Sequence, residues 1–266
     1  MRGRVDAAGE TRVNRAPKLD SFLPSPQQAG VALLLLFGLF LTAQRNYVLF
    51  HTVAEGFAIV VAVMIYVVAT KTHRHSRQDC LLFLGNAYLF VAILDFVHTM
   101  TYQGMGVFPG YTANTPTQLW IASRYVDAVS LLLAPLFLRL SFPRGAGFLL
   151  YAAVSAALVA SIMWWNVFPD AFVPGRGLTT FKIASEYAIS LLLVIAILHL
   201  RSRRNELDRR MYLLLVAAMG TTILSELSFT LYTDVYGLMN FVGHIFKIIA
   251  YYLVFQGVVV QGLEAP

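Results

Sequence analysis

Long apolar runs separated by short polar breaks make up most of this chain. Runs near the ~20 residues that cross a hydrocarbon layer fall at about 27–44, 46–70, 79–100, 118–138, 146–165, 180–200, 211–232 and 239–261. They predict an all-α, polytopic integral membrane bundle of about eight transmembrane helices. Residues 1–26 break the pattern: Arg2, Arg4, Arg12, Arg15 and Lys18 stand among Ala, Gly and Pro, as in a disordered basic tail. A cleaved signal peptide with 31–43 as its apolar core is the competing reading. The long polar lead and Leu41, where a small residue is expected, count against it. The expected organisation is therefore a tail at 1–26, a membrane domain at 27–262 and a stub at 263–266.

The charges in the breaks orient the bundle. With the amino terminus inside, the tail and the loops KTHRHSRQD, RLSFPRG and RSRRNELDRR face the cytoplasm and carry 15 of the 20 Lys and Arg residues. The positive-inside rule favours this arrangement, which puts both termini in the cytoplasm. Trp120, Trp164 and Trp165 then fall near the outer interface, where belt tryptophans belong. The external connections QGMGVFPGYTANTPTQ and WNVFPDAFVPGRGLTTF are long, punctuated by Gly and Pro, and placed to fold over the outer mouth. They and the spans after them share VFP, IAS-x-Y and SLLL, which raises a duplicated hairpin, although short apolar matches also arise by chance.

Ionisable residues inside the runs need a partner or a task, since a central carboxylate costs roughly 2.5–3.5 kcal/mol on insertion. By helical rise, His51, Glu55, Asp95, His98, Arg124, Asp127, Lys182, Glu186, Glu226, His244 and Lys247 all lie within roughly 15 Å of the outer boundary. Their one-sidedness predicts a single polar chamber open to the outside. Spacing places His51 with Glu55, Asp95 with His98, Arg124 with Asp127, and Lys182 with Glu186 on common helix faces. Asn240, His244, Lys247 and Tyr251 form one stripe. The candidate ligand-binding residues are His51, Glu55, Asp95, His98, Arg124, Glu186, Glu226, His244 and Lys247. His51, His98 and His244 are candidate ligands for a divalent metal such as zinc. The blander reading is that Arg124 with Asp127, and Lys182 with Glu186, neutralise each other within their own helices, and that each His bonds to a carboxylate or carbonyl. Lys247 on the last span invites a retinal Schiff base, but no other feature of the chain supports one.

Composition narrows the function. Of 266 residues, 58% are hydrophobic and 13% charged, against roughly 25% charged in soluble domains. The single cysteine, Cys80, permits no internal disulfide and no cysteine-based zinc cluster. No phosphate-cradling glycine loop, HExxH, GxSxG or repeated CxxC is present, so no soluble catalytic domain is expected. No nucleic-acid partner is expected either.

The segments NYVLFHTVAE, LFLGNAYLFVAILDFVHTMTYQGMGVFPGY, PTQLWIASRY, GLTTFKIASEY, SELSFTLY and GHIFKIIAYYLVF resemble the third family of membrane-associated sensor domains, the MASE class. The resemblance runs from about residue 31 to the end. It implies a sensory input domain of a prokaryotic cytoplasmic membrane, coupled to PAS modules and a histidine kinase or diguanylate cyclase, fused or in trans. Two-component or cyclic di-GMP signalling is the expected setting, and a homodimer is left open. The chain stops at VVVQGLEAP, about where such an output module begins, so a free-standing sensor, a truncated product and an excised domain are the alternatives. The resemblance supplies no ligand and no catalytic residue, and a non-enzymatic sensor is the leading expectation. An intramembrane metal-dependent hydrolase, with zinc on the three histidines and Glu55 or Glu226 as general base, is the second. A transporter ranks last, because the inner half has no ionisable residues to continue a path.

Overall fold

A computed structural model describes residues 25–76, 78–231 and 237–259. Residues 1–24 of the expected tail at 1–26, and the stub at 263–266, lie outside the described residues, and Pro26 opens the first helix. Eight long helices follow one another: α1 (Pro26–Arg45), α2 (Tyr47–Ser76), α3 (Asp79–Thr101), α4 (Asn114–Leu133), α5 (Arg144–Met163), α6 (Thr180–Ser202), α7 (Arg209–Ser228) and α8 (Leu238–Val259). Seven of them, α2 to α8, are long and apolar enough to cross a membrane, while the apolar part of α1, Ala29–Arg45, is shorter. The chain divides into two units, residues 1–41 and 42–266. The first holds most of α1; the second holds α2 to α8.

In the second unit α2 packs on α3, α3 on α4, α4 on α6, α6 on α7, α7 on α8, and α8 back on α2. Six helices thus close a ring. Helix α5 packs on α3 and α4 from outside it, and only 17% of its most apolar window is buried, against 78% for α3. The α2–α3 contact follows from small side chains. Ala54, Ala58 and Ala62 recur every four residues on α2 and are buried, as is Ala69 two turns further on. Small residues let helices approach closely, and helices in lipid associate through such packing rather than through a hydrophobic drive. On α3, Gly85 completes the fit: a Cβ there would lie 2.7 Å from the Ala69 Cβ.

Helix boundaries differ from the apolar runs where the chain stays helical through polar residues. Helix α2 continues to Ser76 through most of the stretch expected as a loop. There His73 is buried, with Nε2 2.7 Å from Asp79 Oδ1 and Nδ1 2.5 Å from Arg144 Nη2. Helix α4 starts at Asn114, four residues before the apolar run, and tightens into a 3-10 turn over Ala134–Leu138, where Pro135 removes a backbone donor.

The two ends of the ring are unlike. One end carries the basic connections, in which Arg139 donates from Nε and Nη2 to Glu206 at 2.9 and 2.8 Å. The other carries the long connections. A short antiparallel hairpin, β1 (Phe172–Val173) with β2 (Gly177–Leu178), lies between α5 and α6 and turns through Gly175 at φ 80°. Asn114 pins it to α4: Oδ1 accepts from the amides of Ala171 and Phe172, and Nδ2 donates to Asp170. Gln118 donates to the carbonyls of Phe168 and Pro169. In the α3–α4 connection Met105 turns back on α2, its sulfur 3.3 Å from Thr52 Oγ1. Of the two segments that share VFP and IAS-x-Y, only the second contains β-strands among the described residues.

Candidate functional site

Every helix of the ring sends at least one ionisable side chain into the long-connection end, and all of these side chains are buried. Helix α2 gives His51 and Glu55, α3 gives Asp95 and His98, and α4 gives Arg124 and Asp127. Helix α6 gives Lys182 and Glu186, α7 gives Glu226, and α8 gives His244 and Lys247. Helix α5, outside the ring, gives none.

The deeper layer is a network of charges joined across helices. Asp95 is its hub: Arg124 Nη2 lies 2.9 Å from both of its oxygens, Ser123 Oγ donates to it at 2.5 Å, and Tyr251 OH at 3.1 Å. Lys247 Nζ bridges Asp95 Oδ2 at 2.9 Å and Glu55 Oε2 at 2.6 Å. Arg124 also reaches Asp127 within its own helix, at 3.3 Å. The neutralisation expected inside α4 is thus the longer of the arginine's two ion pairs, and the shorter one crosses to α3. Lys182 pairs with Glu186 one turn along α6. Glu226 Oε2 is buried without a hydrogen-bond partner among the described residues.

The shallower layer is aromatic and imidazole-rich. His51 and His98 approach to 3.2 Å between their Nε2 atoms, and the His244 ring lies 4.9 Å from that of His51. His98 Nδ1 donates to the Pro116 carbonyl at 2.7 Å, and His244 Nδ1 to the Asn240 carbonyl at 2.8 Å. Tyr102 stacks on His51 at 3.6 Å, with the ring planes 16° apart. Trp120 separates the layers, with Lys247 Nζ 4.5 Å and the Arg124 guanidinium 4.9 Å from its rings. A cavity of about 30 Å³ is lined by His51, His98, His244, Trp120, Lys182 and Gln103, among others. That is room for an ion or one to two waters.

A family model described as a membrane-associated sensor domain, MASE3, matches residues 42–266. The chain belongs to this family. The match begins at the first residue of the ring-forming unit, so the polar chamber lies wholly inside a MASE3 domain. MASE3 is a family of sensors, not one defined by a catalytic activity. Neither the curated proteins nor the solved structures hold a significant match to the chain.

One feature of the MASE3 bundle corrects the sequence reading. Trp120 is not a belt residue: it is 4% exposed and packs on two buried cations, whereas Trp164 and Trp165 are 69% and 64% exposed. Sequence reasoning also missed Ser123 and Tyr102. No spacing rule marks a serine beside an arginine or a loop tyrosine as partners of residues on other helices.

Proposed function

We propose that this domain is the sensory input unit of a signalling protein in a prokaryotic cytoplasmic membrane. It takes a small ligand or ion in the polar chamber and relays the change to a cytoplasmic PAS, histidine-kinase or diguanylate-cyclase module, fused or in trans. The observation that carries the reading is the ring itself. A sensor-family bundle gathers buried ionisable groups from six helices at one end, joins those of α2, α3, α4 and α8 in one charge network, and keeps them off α5 outside the ring. Such groups are expensive in a membrane, and they mark sites and pathways rather than scaffolding. The opposite end carries the basic connections, so the positive-inside rule turns it to the cytoplasm and the chamber outward.

The relay needs an element that touches the chamber and leaves at the cytoplasmic end, and α8 does both. Its Lys247 bridges α2 and α3, and its Tyr251 bonds to Asp95 and Arg124. A ligand that competes for Glu55 or for the imidazoles redistributes these bonds and shifts α8 against α2. The shift can be no larger than the ligand's differential affinity for the two packings. The test is a PAS–cyclase module fused after residue 266. A membrane-bound cyclase is expected whose output changes when Glu55→Gln or Lys247→Met cuts the α2–α8 bond. Unchanged output from both variants, with each protein present in the membrane, would overturn the proposal.

A further inference from the structure

We propose that the chamber binds a divalent first-row transition ion through Nε2 of His51, Nε2 of His98 and the carboxylate of Glu55. This rests on the chamber being the sensor's ligand site and names the chemical class of that ligand. Among the described residues, ligand atoms of these three side chains all lie within 4.8 Å of one another, and all three residues are buried.

The hydrogen bonds fix where the lone pairs point. A carbonyl only accepts, so the bond from His98 to Pro116 puts the ring proton on Nδ1 and leaves Nε2 of the neutral ring as a lone pair facing His51. At 3.2 Å, His51 Nε2–H donates to that lone pair, and an ion that displaced this proton would find the two Nε2 atoms at the span of two ligands. With metal–nitrogen bonds of about 2.05 Å that span corresponds to an angle of about 100°, near the tetrahedral value. His98 thus has the outer-shell acceptor that metal-bound imidazoles ordinarily have. His51 is held in plane by its stack on Tyr102.

Glu55 supplies the third ligand. Its Oε2 is held by Lys247, while its Oε1 has no hydrogen-bond partner among the described residues. A carboxylate with one oxygen anchored and the other bare is set up to bind a metal through the bare one. Oε1 also lies 3.3 Å from His244 Nε2. Because His244 Nδ1 donates to the Asn240 carbonyl, its Nε2 too is a lone pair in the neutral ring, and two acceptors confront each other. A proton on His244 or a metal ion beside the pair removes the conflict, and the ion gives His244 a role as a further ligand or as a neighbour of a bound water.

Charge balance agrees. Five buried carboxylates, on Glu55, Asp95, Asp127, Glu186 and Glu226, face three buried permanent cations, on Arg124, Lys182 and Lys247. Among the described residues the acids outnumber these cations, which favours a bound cation or protonated imidazoles over an anion. The adjoining cavity of about 30 Å³ has room for the waters that complete the coordination shell.

The test is metal uptake by the full chain in lipid nanodiscs, stripped with a chelator and titrated with Co²⁺ and then Zn²⁺. The expected result is about one equivalent bound, with visible cobalt bands of a low-coordinate nitrogen and oxygen site. His51→Ala and His98→Ala should lose at least about 100-fold in affinity, more than a lost outer-shell partner costs. His98→Gln, folded by gel filtration and thermal unfolding, should lose it too, which separates ligation from folding. Thr221→Ala, whose hydroxyl bonds its own helix at Ala217, should bind as wild type. No stoichiometric uptake by folded wild type, or wild-type affinity in the histidine variants, would overturn the ion. No uptake, with altered signalling in the same variants, rejects the metal but leaves the ligand chamber standing. Uptake without any effect on signalling supports the metal and removes the chamber from sensing.

Discussion

Arg124 shows how far single residues could be read from sequence. Its spacing from Asp127 made an in-helix pair legible, and that pair exists at 3.3 Å. The shorter bonds, to Asp95 on α3 and Tyr251 on α8, depend on which helices become neighbours, and no local pattern encodes that. Lys182 with Glu186 was legible for the same reason that Lys247 with Glu55 was not: the first pair is one turn apart, the second 192 residues apart. Breaking a buried pair by removing one partner leaves an uncompensated charge and costs about 3–5 kcal/mol. Asp95→Asn should therefore lower the thermal unfolding temperature in nanodiscs by many degrees. Arg124→Lys should be almost as harmful, because one ammonium cannot span Asp95, Asp127 and Tyr251 as the guanidinium does. Wild-type unfolding of Arg124→Lys would show that the Asp95 hub is not a stability element.

Among the elements, the apolar runs located all eight helices, because span length and composition are properties of one segment. Their ends were less legible. Hydropathy marks only the apolar stretch, whereas α2 stays helical to Ser76 past its end and α4 begins at Asn114 before its start. The exclusion of α5 from the ring left a trace in the sequence, since 146–165 holds no Asp, Glu, Lys, Arg or His. The order of packing around the ring left none that a single sequence can show. One consequence is a steric prediction at the α2–α3 seam. A side chain at Gly85 meets Ala69 Cβ at 2.7 Å and the Tyr66 backbone at 3.3 Å, whereas one at Gly145 meets nothing within 4 Å. Gly85→Leu should force the helices apart, which would appear as lost membrane yield and earlier unfolding, with Gly145→Leu close to wild type. Equal behaviour of the two would mean that the seam yields more easily than its packing implies.

For the whole molecule, the proposed orientation puts the chamber outside and the basic end inside. Single cysteines in a Cys80→Ser background test this orientation, since Thr112 and Arg204 are both exposed and sit at opposite ends. Thr112→Cys should react with a membrane-impermeant thiol reagent in intact cells, and Arg204→Cys should not; the reverse pattern would invert the sensor. The central claim is that the imidazole layer is where the signal enters. The most direct measurement is cyclic di-GMP output from the fused cyclase in His51→Ala, His98→Ala, His244→Ala and Thr221→Ala, at matched membrane levels. The account predicts that the three histidine variants change the output several-fold while Thr221→Ala matches wild type. Histidine variants indistinguishable from Thr221→Ala would contradict it.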